Sequence, residues 1–361
     1  MSGNERGRTL IVVGAGGTAG HVVPAIAVAR ELRARGAAVS FLGGSRAEAE
    51  LVPAAGFPFK AIPTAGLDRT NPLRALRGAA RALVGVGCAA VALRRLRPSA
   101  VYAAGGYVGA TVGFAAVALR IPVVVGEADS HLGLGNRLLA PFARRLCLAF
   151  PIPGREGGRY RVCGRPLPAR PVSREQARAS LGLAPDAPYV VVFGGSLGAR
   201  SLNEAALAVL GRLGVAVLHV AGVREYDRLA SRPLPDGYRL ERFLAPEELS
   251  LHLSAADLAI CRAGGSVLEV AAHGVPLVVV PYPLAAADHQ RSNARYLVQR
   301  GAAVAVEDDA LPEGLAAAVK GLLEDRGRLA EMARAARALS PPDAAAAIAE
   351  EVLEAGGWSG P

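Results

Sequence analysis

The sequence predicts an α/β protein of two doubly wound domains facing a shared deep cleft. Three observations carry the prediction: a glycine-rich strand–loop–helix unit near the N-terminus, a second one half a chain later, and a repeating rhythm of short apolar runs and helices throughout. The first unit runs Thr9–Val13, then Gly14-Ala-Gly-Gly-Thr-Ala-Gly-His21, then a helix through Arg35. The second runs Tyr189–Phe193, then Gly194-Gly-Ser-Leu-Gly-Ala-Arg200, then a helix reaching Leu213. A buried strand feeding a glycine turn and then a helix aims backbone N–H groups and the positive helix end at one spot, which suits phosphate.

At 361 residues the chain exceeds one ordinary core, and two domains are expected. In the first, residues 1–164, strands are predicted at Val39–Leu42, Ala61–Pro63, Ala100–Tyr102, Pro122–Val125 and Arg145–Ala149. Helices fall at Arg46–Ala55, Leu73–Arg97, Tyr107–Leu119 and Asn136–Ala143. Apolar runs of four or five residues bounded by Gly or Pro suit parallel strands covered on both faces. Gly164-Arg-Pro-Leu-Pro-Ala-Arg-Pro171 reads as a linker, with a short helix at Arg174–Leu181 after it. The second domain, residues 165–340, continues with strands at Val215–Val220, Tyr238–Arg242, Leu258–Ile260, Leu277–Pro281 and Ala303–Val306. The tail, residues 341–361, holds an amphipathic helix at Asp343–Ala355 that is a candidate to pack back on the first domain.

The charge balance is 41 Lys+Arg against 31 Asp+Glu, a net +10, which favours an anionic partner. A basic tail and aromatic–basic interleaving are both missing, so nucleic acid is excluded as that partner. Cys88, Cys147, Cys163 and Cys261 show no metal or redox spacing and read as small residues of a reduced protein. The polar start MSGNERGR does not look like a signal peptide. The longest uncharged helical stretch, Ala82–Leu93, has 12 residues, whereas a membrane span needs about 20. A cytoplasmic protein is expected. That stretch is bracketed by Arg74, Arg77, Arg81, Arg94, Arg95 and Arg97, a pattern suited either to an anionic membrane surface or to a buried helix with charged ends.

Gly14–Ala19 satisfies a loose G-x-G-x-x-A fingerprint, but a nicotinamide site would want an acid after the second strand. Gly43-Gly-Ser-Arg46 stands there instead. His21 lies at a helix start, where the dipole disfavours imidazolium and keeps the ring able to accept a proton. Glu127 ends a strand on the carboxyl edge where doubly wound folds bind ligands. Both have plainer readings, as a polar cap and as a loop carboxylate. Gly105-Gly106-Tyr107 is another strand-to-helix turn, open to phosphate. Cys261-Arg-Ala-Gly-Gly-Ser-Val-Leu-Glu269 places a carboxylate early in a helix, able to accept both hydroxyls of a ribose. Asp288-His-Gln-Arg-Ser-Asn293 is polar and suits sugar hydroxyls. Asp308-Asp309 are adjacent and read as a turn, and no metal site is predicted.

Taken together, Gly16-Gly-Thr-Ala-Gly-His21, Gly105-Gly-Tyr-Val108, Gly194-Gly-Ser-Leu-Gly-Ala-Arg-Ser-Leu-Asn203, Arg262-Ala-Gly264 and His289-Gln290 with Asn293-Ala294 resemble the MurG family, in order and over nearly the whole chain. These are peripheral membrane N-acetylglucosaminyltransferases that complete lipid II in peptidoglycan synthesis, and so serve cell-wall growth, shape and division. The resemblance implies the GT-B fold, two Rossmann-like domains, and an inverting transfer without metal or cofactor.

It further implies UDP-N-acetylglucosamine and lipid I as substrates, the anionic cytoplasmic leaflet of the cell membrane as docking surface, and cell-wall synthesis complexes as protein partners. Residue by residue, it places His21 and Glu127 in catalysis, His21 first. It places Thr18, Ala19, Gly20, Asp129, Ser196, Leu244, Gly264, Gly265, Ser266, Val267, Leu268, Glu269, His289 and Gln290 on the donor. Gly16, Gly17, Gly105, Gly106 and Tyr107 fall to the acceptor pyrophosphate. The chain departs from the family at Gly126-Glu-Ala-Asp129, where His-Glu-(Gln/Ala)-Asn is usual, and the loop before Glu269 is one residue shorter than in many relatives. It departs again at Gly164-Arg-Pro-Leu-Pro168, which lacks the usual arginine and leaves Arg165 and Arg170 as candidates to replace it.

Overall fold

A computed structural model describes residues 9–64, 72–285, 288–341 and 343–358. The side chains of residues 72–77 and 79 lie outside the described residues, so Arg74 and Arg77 are not placed. The chain divides into two compact units, Met1–Leu167 with Asp343–Pro361, and Pro168–Pro342.

The first unit runs β1 (Leu10–Gly14), α1 (Ala19–Ala34), β2 (Ala38–Gly43), α2 (Ala47–Ala54), β3 (Phe59–Ala61), α3 (Pro72–Leu96), β4 (Ala100–Ala103), α4 (Gly106–Ala118), β5 (Val123–Glu127), α5 (Leu134–Leu139), β6 (Arg145–Leu148) and β7 (Tyr160–Val162). The seven strands form one parallel sheet in the order β3-β2-β1-β4-β5-β6-β7. Central strands such as β4 and β5 are buried along their whole length, as a sheet covered on both faces requires. One face packs on α1 and α2 through Val22, Val28, Leu32 and Val52, and the other on α3, α4 and α5 through Leu93, Val112 and Leu139.

The second unit runs α6 (Arg174–Leu181), β8 (Tyr189–Phe193), α7 (Arg200–Leu210), β9 (Ala216–Val220), α8 (Tyr226–Ala230), β10 (Tyr238–Glu241), α9 (Pro246–Ala255), β11 (Leu258–Cys261), α10 (Val267–Ala272), β12 (Leu277–Val279), α11 (His289–Val298), β13 (Ala303–Ala305), α12 (Glu313–Glu324) and α13 (Arg326–Leu339). Its parallel sheet follows the order β10-β9-β8-β11-β12-β13. The final helix, α14 (Ala344–Ala355), packs on α1 and on β4, β5 and β6 of the first unit. Glu351 on α14 is buried and ion-pairs with Arg145 (2.9 Å) and with Arg161, which fastens the C-terminal segment to β6 and β7.

The predicted elements coincide with the observed ones in the two-sided core and diverge at the edges. The short strand expected at Ala61–Pro63 is Phe59–Ala61, which pairs with β2. Strand β7, an outer strand with only Tyr160 half-buried, lacks an apolar run to announce it. The helix expected at Asn136–Ala143 is α5 followed by a tight turn over Ala140–Phe142.

Candidate active site

Both units place their glycine loops where strand order reverses, the position at which doubly wound sheets bind ligands. In the first unit that point lies between β1 and β4, which are adjacent and parallel. The loop Gly14–Thr18 leaves β1 and enters α1, while Gly105 caps α4 after β4. Gly17 has φ +97°, and Gly105 and Gly106 have φ +89° and +67°, left-handed conformations that favour glycine. The two loops touch: a Cβ on Gly17 would sit 3.2 Å from Tyr107 Cε1, and one on Gly106 3.5 Å from the Gly16 carbonyl. Gly16, Gly17, Gly105, Gly106 and Tyr107, expected together, are together.

His21 lies in the first turn of α1, partly enclosed. Its Nδ1 is 3.2 Å from Thr18 Oγ1, and its Nε2 lies 3.8 Å from the position a Cβ would take on Gly105. The ring edge therefore faces the Gly105–Gly106 turn. Burial lowers the His21 pKa below its usual 6.5; Asp129 opposes the shift and Arg165 adds to it. The shift favours the neutral imidazole. Thr18 and Gly20 are exposed, and Ala19 is half-buried.

Glu127 ends β5 and is buried. Its Oε1 accepts from the N–H groups of Ala128 (3.0 Å) and Asp129 (3.2 Å), and its Oε2 from Gly133 N–H (2.9 Å) and Asn136 Nδ2 (2.9 Å). Burial raises its pKa, with these hydrogen bonds pulling the other way. A carboxylate with four donors around it shapes the 128–136 loop and has little capacity left for a substrate proton. Asn136 also donates to the Gly126 carbonyl (2.9 Å).

Arg165, from the stretch read as linker, is buried and donates from Nη2 to the Gly20 carbonyl (3.1 Å), next to His21. His21, Glu127, Tyr102, Gly164 and Arg165 line one recess. Arg170 is exposed. Sequence reasoning did not select Asn136 as a site residue and left Arg165 open. The only signal at 165 was the departure from the family pattern.

In the second unit the loop after β8 and the loop after β11 lie on neighbouring strands. Ser196 is exposed between Gly195 and Gly198, whose φ values are +97° and +91°. The turn is braced from behind: Val223 N–H donates to the Ser196 carbonyl (3.1 Å), and a Cβ on Gly198 would lie 2.3 Å from the Ala221 carbonyl. Leu244 follows β10 and is buried. Gly264, Gly265, Ser266 and Glu269 are half-buried, but Val267 and Leu268 are wholly enclosed in the core. Any ligand contact from Val267 or Leu268 is a backbone contact. His289 and Gln290 open α11, and Gln290 Oε1 accepts from Tyr282 N–H (2.9 Å).

Three residues of the recognised motifs frame this surface. Asn203 bonds the Ala221 carbonyl (2.8 Å) and His219 Nε2 (3.1 Å), and burial of His219 lowers its pKa to about 4. Arg262 bonds Asp308 (2.6 Å) and Ser201 (2.8 Å), and Asn293 bonds the Ala263 carbonyl (3.0 Å). Asp308, read as part of a turn, is thus the counterion of Arg262.

Two parallel α/β domains with glycine loops at both switch points are the GT-B architecture, and the family that the chain matches makes it a glycosyltransferase. Family models agree: residues 11–147 match the glycosyltransferase family 28 N-terminal domain and residues 189–348 its C-terminal domain. The chain is 42% identical over 354 residues to the UDP-N-acetylglucosamine–N-acetylmuramyl-(pentapeptide) pyrophosphoryl-undecaprenol N-acetylglucosamine transferase of Thermus thermophilus, covering 96% of this chain and 99% of that one. It is 40% identical to the protein of the same name from Moorella thermoacetica, covering 95% and 98%. The crystal structure of Acinetobacter baumannii MurG superposes with a TM-score of 0.74 at 31% identity, covering 96% and 99%. The chain belongs to glycosyltransferase family 28 and, within it, to the MurG family.

Proposed function

We propose that the protein transfers N-acetylglucosamine from UDP-N-acetylglucosamine to the C4 hydroxyl of N-acetylmuramyl-pentapeptide-pyrophosphoryl-undecaprenol, converting lipid I to lipid II. The observation that carries this reading is the identity, along almost the full chain, with relatives named for that transfer. The acceptor is recognised by the first unit, its pyrophosphate against Gly16, Gly105, Gly106 and Tyr107, and the donor largely by the second. There Ser196 and its loop hold the phosphates, Leu244 meets the uracil through its backbone, Glu269 takes the ribose, and His289 with Gln290 takes the sugar.

The attacking hydroxyl must lose a proton as its oxygen bonds the anomeric carbon. His21 is the base in the tautomer that donates Nδ1–H to Thr18 Oγ1, 3.2 Å away, which leaves Nε2 its lone pair. Glu127, saturated by its own loop, positions the site. The C1–O bond to UDP breaks as the new bond forms, inverting the anomeric centre. N–H groups at the start of α7 stabilise the charge that collects on the departing pyrophosphate.

A pH profile checks the base. The acid limb of kcat/KM should lie below the ordinary histidine value of 6.5, because activity is lost only as His21 protonates. Arg165→Met removes a group that lowers the His21 pKa and should move the limb to higher pH. Asp129→Asn should move it lower. A limb unmoved by either assigns the base elsewhere.

The membrane-facing part of the proposal rests on α3 and α5, which flank α4 on one face of the sheet. Leu83, Val84 and Val91 on α3, with Leu138 and Phe142 at α5, are exposed apolar residues, and the same segments carry the exposed Arg81, Arg94, Arg95, Arg137 and Arg144. No helix among the described residues is long and apolar enough to cross a membrane. Exposed apolar groups and cations on the same segments suit the anionic cytoplasmic leaflet. Vesicles containing anionic lipid should bind the protein in a salt-sensitive way, and Leu83→Asp with Phe142→Asp should abolish the binding. Equal binding to neutral vesicles would count against it.

An epimerase of the same architecture would turn over the donor alone, and a sensor would bind it unchanged. Incubation with UDP-N-acetylglucosamine but no acceptor sets the epimerase apart: the proposal predicts intact donor, and isomerised sugar would favour the epimerase. Transfer once acceptor is added sets the sensor apart, since a sensor would leave the donor intact there too.

A further inference from the structure

Glu48, in the first turn of α2, has no exposed surface. Its Oε2 accepts from Gly17 N–H at 3.0 Å, and its Oε1 has no hydrogen-bond partner among the described residues. An acceptor left open in the interior is costly, and a buried apolar residue would avoid the cost. The chain around Glu48 is nevertheless shaped to admit it. A Cβ on Gly16 or Gly44 would fall 2.7 Å from its carboxylate, and one on Gly43 2.9 Å from its Cγ. Three glycines thus make room for one carboxylate.

That carboxylate pulls the Gly17 N–H inward, away from any ligand. In this arrangement Gly17 has its N–H taken up by Glu48 and does not offer it to a phosphate. Its left-handed turn instead packs on the Tyr107 ring and sets the path by which the loop enters α1. From these contacts we infer that Glu48 is a positioning residue for the acceptor pyrophosphate. It fixes the curve of Gly14–Thr18 so that the starts of α1 and α4 present their N–H groups together. The inference rests on the transferase reading of this loop.

The test uses the full chain with Glu48→Met, which fills the space without an acceptor, and Glu48→Gln, which keeps an oxygen for Gly17 N–H. Steady-state transfer gives the acceptor KM, and calorimetry gives the Kd for UDP-N-acetylglucosamine. Glu48→Met should raise the acceptor KM by about tenfold or more with kcat far less affected, leaving donor Kd within about twofold. Glu48→Gln should restore the acceptor KM to within about threefold of wild type. Should Glu48→Met not fold, Glu48→Ala reads the same loss. An unchanged acceptor KM, a Gln variant as impaired as Met, a parallel loss of donor affinity, or failure of both Met and Ala to fold would each overturn the inference. The transferase reading itself is judged on wild type, and the inference on ratios between variants.

Discussion

Replacing His21 by alanine is expected to lower kcat by about 10²- to 10⁴-fold, the range a positioned general base supplies. With the donor held largely by the second unit, as proposed, its affinity should change by no more than about twofold. The side chain meets the conditions geometrically: it opens α1, bonds Thr18 through Nδ1, and presents its other edge to the Gly105–Gly106 turn. Single-turnover transfer with donor and acceptor prebound isolates the chemical step. An H21A variant that keeps wild-type turnover would remove the base from the mechanism. Loss of donor binding in step with kcat would make His21 a binding residue.

Gly198→Ala should produce the largest effect on donor recognition. Its added Cβ meets the Ala221 carbonyl at 2.3 Å, and φ at this position is +91°. Backbone carbonyls cannot swing aside like the end of a side chain, and a non-glycine residue held at such a φ costs about 1–3 kcal/mol. The turn carrying Ser196 must therefore shift, and donor Kd should rise by about tenfold or more, since about 1.4 kcal/mol is tenfold. Calorimetric titration with UDP reads this directly. The first unit is untouched, so binding of an acceptor analogue should persist; unchanged UDP affinity would show that the turn does not hold the phosphates.

The parallel sheets were legible because a strand covered on both faces must be apolar throughout. β8 could be read at Tyr189–Phe193 from five such residues alone. Strand β7, with only one face partly covered, carries no such signature. The glycine loops were legible for a different reason: left-handed turns and close backbone approach leave glycine as the residue that fits, and Gly17, Gly105 and Gly198 bear that out in their φ values. The supporting groups were not legible. Glu48 meets Gly17 across 31 residues and Arg165 meets Gly20 across 145, separations at which local pattern carries no information. Val267 and Leu268, expected on the donor, turn their side chains into the core because a helix entering a buried layer points its apolar side inward, which leaves only their backbone for a ligand.

Transfer of labelled N-acetylglucosamine from its UDP donor onto a lipid I analogue, with EDTA present, decides whether the protein is this transferase. A labelled disaccharide-lipid is expected, joined through the C4 hydroxyl with inverted anomeric configuration, with one UDP released per sugar transferred. Donor bound but never transferred, or donor isomerised without an acceptor, would contradict it.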